Sequence, residues 1–164
     1  MKIPSWIYVL CRWVLGTVFI YGGSTKLIEP EIFATLIDAY GILPEIMLLP
    51  VAILLPAFEV IAGIGILFDI RGSLTAILGL LILFLLILGY GMAMGLNVDC
   101  GCFSPGDPEA RAFHGLRQAF YRDLLMVLQV VFAFGWRKWN NIQPKSIVQY
   151  LQFLKQIKTR ENLL

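Results

Sequence analysis

The sequence predicts an all-α integral membrane protein, a four-helix bundle followed by a C-terminal amphipathic helix on the membrane surface. Three observations predict it. The 164 residues are 59% hydrophobic and only 15% charged, whereas soluble domains carry about a quarter charged residues. Four apolar segments approach the ~20 residues that a spanning helix needs. Lysine and arginine gather in alternate flanks of those segments, the asymmetry that orients membrane helices. With a mean hydropathy of +0.78, a chain this short has too little polar surface for a soluble globule. One four-span unit over residues 1–140 and a tail over 141–164 are expected.

The first span runs over about 5–27, with Arg12 inside it and Lys26 at its end. It begins like a secretion signal but holds Arg12 and ends in Gly22-Gly23-Ser24-Thr25-Lys26, without a small-residue cleavage pattern. It is therefore expected to be retained as a helix. The second span, about 47–68, has Pro50 and Pro56 near its start and Glu59 near its middle. The third, about 72–98, contains no charge. The fourth is expected over 116–138. Only Leu124–Trp136 is free of charge there, and those residues rise about 20 Å, short of the ~30 Å hydrocarbon core. The helix must therefore carry Arg122 and Asp123 at or just below the headgroups. The two charges either snorkel to the interface or line a site.

After Pro144, Ile147, Tyr150, Leu151, Leu154 and Ile157 recur at helical spacing among Lys155, Lys158 and Arg160. That pattern fits an amphipathic helix lying on the membrane. Arg137, Lys138 and the basic tail, together with Lys2 and Arg71, predict a cytoplasmic side. Glu29, Glu31, Asp38 and Glu45 mark the first loop as external. Both termini are then cytoplasmic, in the inner membrane of a bacterium. The segment that carries Cys100 and Cys102 is outside, in an oxidising compartment.

Cys100 and Cys102 flank Gly101 in "NVDCGCFSPGD". A disulfide between them would close a very small ring. Strained or exposed disulfides are the labile, catalytic ones, and so short a loop adds little stability. Gly101 supplies the backbone freedom that the ring needs. His114 and Arg122 follow as cations able to favour a thiolate, while Asp99 beside Cys100 opposes one. Two metal alternatives stay open. Cys100, Cys102, His114 and Asp99 could ligate zinc, though one-residue spacing is tight for it. Copper is softer and nearer Met92 and Met94, but residues two apart on a helix do not share a face. Cys11, at the far end of the first span, is expected to be a packing thiol. Arg12 and Glu59 both fall in the hydrocarbon region, where charges pair or serve function. They are expected to pair with each other.

The stretch "CRWVLGTVFIYGGSTKL" resembles the first-helix signature of the DoxX-like membrane proteins, and "FEVIAGIGILFDIRGSLTAILGLL" is similar to their second and third helices. "DCGCF" followed by "YRDLLMV" resembles the MauE branch, which is linked to maturation of methylamine dehydrogenase. The resemblance covers about residues 5–136. It implies a four-helix bundle active in the disulfide chemistry of exported proteins, by analogy with disulfide-forming membrane proteins and vitamin K epoxide reductase. Those use two-residue cysteine spacing and a quinone, so a quinone is a candidate electron acceptor here.

Two functions are therefore expected. One is a thiol–disulfide oxidoreductase that forms, transfers or reduces disulfides in an exported partner such as a thioredoxin-like or maturation substrate. The other is a non-enzymatic maturation factor or copper carrier using the same cysteines. Membrane lipids are the other expected contact, and no nucleic-acid partner is expected.

Overall fold

A computed structural model describes residues 5–95 and 108–140, with side chains in the last helix described from Gly115 onward. Five helices follow in order: α1 (Ser5–Ile28), α2 (Pro30–Asp38), α3 (Glu45–Leu67), α4 (Ser73–Ala93) and α5 (Pro108–Trp139). Four of them contain stretches long and apolar enough to cross a membrane, Trp6–Ile28, Glu45–Leu67, Ser73–Ala93 and Gly115–Trp139. The expected C-terminal amphipathic helix, residues 141–164, lies outside the described residues.

The four long helices form a ring in which α1 touches α3 and α5, while α4 touches α3 and α5. The centre is filled by Leu15, Phe19, Ile66, Leu74, Ile77, Leu81, Val130 and Ala133. Large apolar side chains also point outward, among them Leu54, Ile61, Leu86, Leu125 and Leu128. A lipid-facing surface has that character, because no water needs to be satisfied there.

The α1–α3 contact is the most extensive, and small residues permit it. A methyl group on Gly16 would lie 3.0 Å from the Gly63 carbonyl oxygen, and one on Gly23 would lie 2.7 Å from the Pro56 carbonyl oxygen. Where lipid is as apolar as leucine, close backbone approach and dense packing drive helix association.

α2 is a helix where the sequence suggested only an acidic loop. Pro30 occupies its start, a position where the missing N–H costs nothing. Phe33 is buried beneath it, and the ring of Tyr40, just beyond its end, lies against Gly91 of α4. α4 ends at Ala93, short of the expected Val98, with Gly95 in the left-handed region at φ +66°. Such a glycine is a common helix stop. α5 starts at Pro108, eight residues before the expected start, so His114 stands on a helix rather than in a loop.

At the turn between α3 and α4, the Ile70 N–H bonds the Gly65 carbonyl at 2.9 Å and the Asp69 N–H bonds the Ile66 carbonyl at 3.1 Å. This pair of bonds is a Schellman ending, with Asp69 as its left-handed residue at φ 56°. Aspartate tolerates that conformation better than most side chains.

Candidate functional site

Two charged clusters occupy the bundle, one towards each end. At the end where α1 starts and α5 finishes, Asp69 is the hub. Its carboxylate takes Arg12 Nη1 at 3.3 Å, Arg137 Nη2, and the Tyr8 hydroxyl at 3.3 Å. Arg12 also donates to the carbonyls of Ile66 at 3.0 Å and Leu67 at 2.7 Å. Those are among the last carbonyls of α3, past the reach of its i→i−4 ladder, and that of Ile66 also takes the Asp69 N–H. Arg137 Nε reaches the Tyr8 hydroxyl at 2.8 Å. Arg137, by position a flanking charge at the end of the fourth span, folds inward and ties α5 to α1 and to the α3–α4 turn.

The expected Arg12–Glu59 pair is not formed. Glu59 is buried and bound by Lys26, whose Nζ lies 2.7 Å from Oε1 and 3.1 Å from Oε2. The reason is register. Glu59 meets α1 at Gly23, and from Arg12 to Gly23 a helix rises about 16 Å, too far for the two side chains to meet. Lys26, at the end of the first span, is instead turned into the bundle, with both partners about 95% buried.

The Lys26 ammonium also lies over two aromatic rings, 5.1 Å from the Phe33 centroid and 4.8 Å from the Phe84 centroid. Cation–π attraction of this kind strengthens away from water. Three helices thus converge on one cation: α2 through Phe33, α3 through Glu59 and α4 through Phe84.

α5 adds the second pair. Arg122 Nε and Nη2 contact Asp123 Oδ1 at 3.0 and 2.9 Å, with Asp123 almost fully buried and Arg122 partly exposed. Arg122, Asp123, Lys26 and Glu59 line one small cavity of about 30 Å³, large enough for about one water. The arrangement is an inward-facing charge cluster, and Asp123 does not snorkel.

Beside it lies a larger cavity of about 350 Å³. Lys26 and Asp123 are its only charged lining residues among those described, and the rest is apolar apart from Tyr40. Phe33, Leu36 and Ile37 of α2, Leu55 of α3, and Leu83, Phe84 and Ile87 of α4 form most of its wall. Its volume is in the ~300–1,000 Å³ range of ligand pockets. Hydropathy alone does not reveal this cavity, because one wall comes from α2, whose nine residues are too few to stand out.

Asp99, Cys100 and Cys102 lie outside the described residues, as does the His114 side chain. The segment that carries the cysteines joins α4 to α5. Among the described residues, no three His, Cys, Asp or Glu side chains converge as a metal site would require. Met92 packs against the Leu88–Leu116–Ala119 cluster, while Met94 is exposed. The two methionines therefore point apart. Cys11 is half-buried and in no disulfide.

Four apolar helices with charges gathered inside and large side chains facing outward define a multi-pass membrane protein. The chain belongs to the MauE family, described as methylamine utilisation protein MauE, whose pattern it matches over residues 4–136. That span takes in α1 to α4 whole and all but the last three residues of α5. No curated protein and no solved structure matches the chain.

Proposed function

We propose that this MauE-family protein is a membrane thiol–disulfide oxidoreductase of a bacterial inner membrane, with both termini cytoplasmic and Cys100–Gly101–Cys102 outside. The observation that carries the reading is the Cys-Gly-Cys sequence in the connection between two spanning helices. Exchange with an exported partner is balanced in either direction. When the partner's two thiols become a disulfide, the Cys100–Cys102 disulfide becomes two thiols, and the reverse exchange reduces the partner. A partner thiolate attacks one sulfur of the pair through a mixed disulfide, and the second partner thiol releases it. In this scheme Arg122 and His114 favour the thiolate and Asp99 opposes it.

The test is Cys102→Ser, which leaves Cys100 without a resolving partner. Non-reducing electrophoresis of membranes is expected to show a mixed disulfide with an exported protein, absent from the Cys100→Ser/Cys102→Ser variant. The family description favours a second reading, because methylamine utilisation names a process broader than disulfide chemistry. Under it, the cysteines hold copper or a maturing partner without turnover. Purified protein carrying one copper per chain, and no mixed disulfide, would establish that reading over the first.

A further inference from the structure

We propose that the apolar cavity beside Lys26 binds a neutral, lipid-soluble carbonyl compound with a flat head group, of the quinone class. The inference goes beyond the thiol reading and stands on the cavity alone.

The head group is specified by the polar end of the cavity. An ammonium has three donors, and the Glu59 carboxylate takes two of them, at 2.7 and 3.1 Å. Lys26 itself lines the cavity together with Phe33 and Phe84, so a ligand at this end meets an ammonium with one donor beyond those that Glu59 takes. A carbonyl oxygen is the acceptor that such a donor suits. The charge of the ligand follows from the cluster. Lys26 is balanced by Glu59, and Arg122 by Asp123. An anionic head would bring an uncompensated charge into a dry site, and a cationic head would meet Lys26; either is costly in this setting. A neutral head disturbs neither pair.

Shape adds the rest. Two aromatic rings flank the ammonium, within 5.1 Å of it, and a flat conjugated ring can stack against them. Beyond this polar end, the lining is aliphatic through Leu36, Leu55, Leu83 and Ile87, which suits a hydrocarbon tail. Ile42 and Leu83 belong both to the lining and to the exposed surface. The cavity therefore reaches the lipid-facing side, where a membrane-soluble molecule would enter.

The test uses full-length protein in detergent micelles, with decylubiquinone as probe and equilibrium dialysis as readout. Oleic acid and dioleoylglycerol serve as an anionic and a non-planar neutral comparison. Saturable binding of one decylubiquinone per chain is expected. Ile87→Trp, which fills the cavity, is expected to weaken it about tenfold, or 1.4 kcal/mol. Leu125→Trp, on the lipid face of α5, is expected to leave it unchanged. Should Ile87→Trp fail to fold, Leu83→Trp fills the same cavity from its edge. Binding is also expected to survive Cys100→Ser/Cys102→Ser, so the cavity and the thiol reading fail separately. Absence of saturable binding, equal binding by the folded cavity-filling variant, or tighter binding of either comparison lipid would overturn the proposal.

Discussion

Lys26 of α1 and Glu59 of α3 are joined at 2.7 Å inside the bundle, and neither charge sits where a membrane helix would place it for solubility. Removing one member leaves the other buried and uncompensated, a loss of about 3–5 kcal/mol. Glu59→Gln is therefore expected to lower folded yield and thermal midpoint sharply. Lys26→Met/Glu59→Leu is expected to recover part of both. Arg12→Met combined with Glu59→Gln is expected to show no such recovery, because those residues belong to separate clusters. A double-mutant cycle on each combination reads the difference directly.

Asp69 combines a left-handed backbone with a carboxylate that two arginines share. Asp69→Asn keeps a side chain that tolerates that backbone but removes the charge. Asp69→Gly relaxes the backbone and removes the whole group. If the carboxylate dominates, both variants lose about 2–4 kcal/mol and lie close together. Thermal unfolding in detergent checks this. A much milder Asp69→Gly would assign the position to its turn instead.

Glycines in one bundle should respond in opposite directions to the same change. A methyl group on Gly63 would sit 2.9 Å from the Gly16 carbonyl oxygen, whereas one on Gly79 meets nothing within 4 Å. Gly63→Ala is expected to push α1 and α3 apart and cost about 1–3 kcal/mol. Gly79→Ala is expected to stabilise by about 0.4–1 kcal/mol through the unfolded chain. Thermal midpoints of the two single variants settle it.

Orientation is testable without the native thiols. In a background lacking Cys11, Cys100 and Cys102, single cysteines at Asp107 and Lys158 report the two sides. An impermeant maleimide is expected to label the Asp107 position in intact cells and to label Lys158 only after lysis. The opposite pattern would reverse the proposed topology and remove the oxidising compartment from the thiol reading.

The four spans were legible because hydropathy integrates over some twenty residues and tolerates single charges such as Arg12 and Glu59. α2 was not. Its nine residues are too few for a hydropathy window, and Glu29, Glu31 and Asp38 read as an acidic loop. Which charge meets which was misread for a geometric reason. Arg12 lies about 16 Å along α1 from the level of Glu59, and a lysine at the end of a span, like Lys26, ordinarily snorkels to the headgroups. A better signal was present: Gly16 and Gly23 on one helix, and Gly63 and Pro56 on the other, share a seven-residue spacing. Laid antiparallel, they set the register that brings Glu59 to Lys26. Asp69 was passed over because "FDIRG" reads as a turn, and only the folded bundle brings Arg12 and Arg137 to it.

The seam at Gly16–Gly63 and Gly23–Pro56 has a bearing on lateral traffic. With backbones this close, an acyl chain has no passage between α1 and α3, so that side of the bundle is a closed wall to the bilayer. The cavity beside Lys26 opens elsewhere, where Ile42 and Leu83 are both lining and exposed and the Tyr40 ring, just beyond α2, rests against Gly91. A helix of nine residues with Phe33 buried thus forms part of the boundary between that cavity and the bilayer.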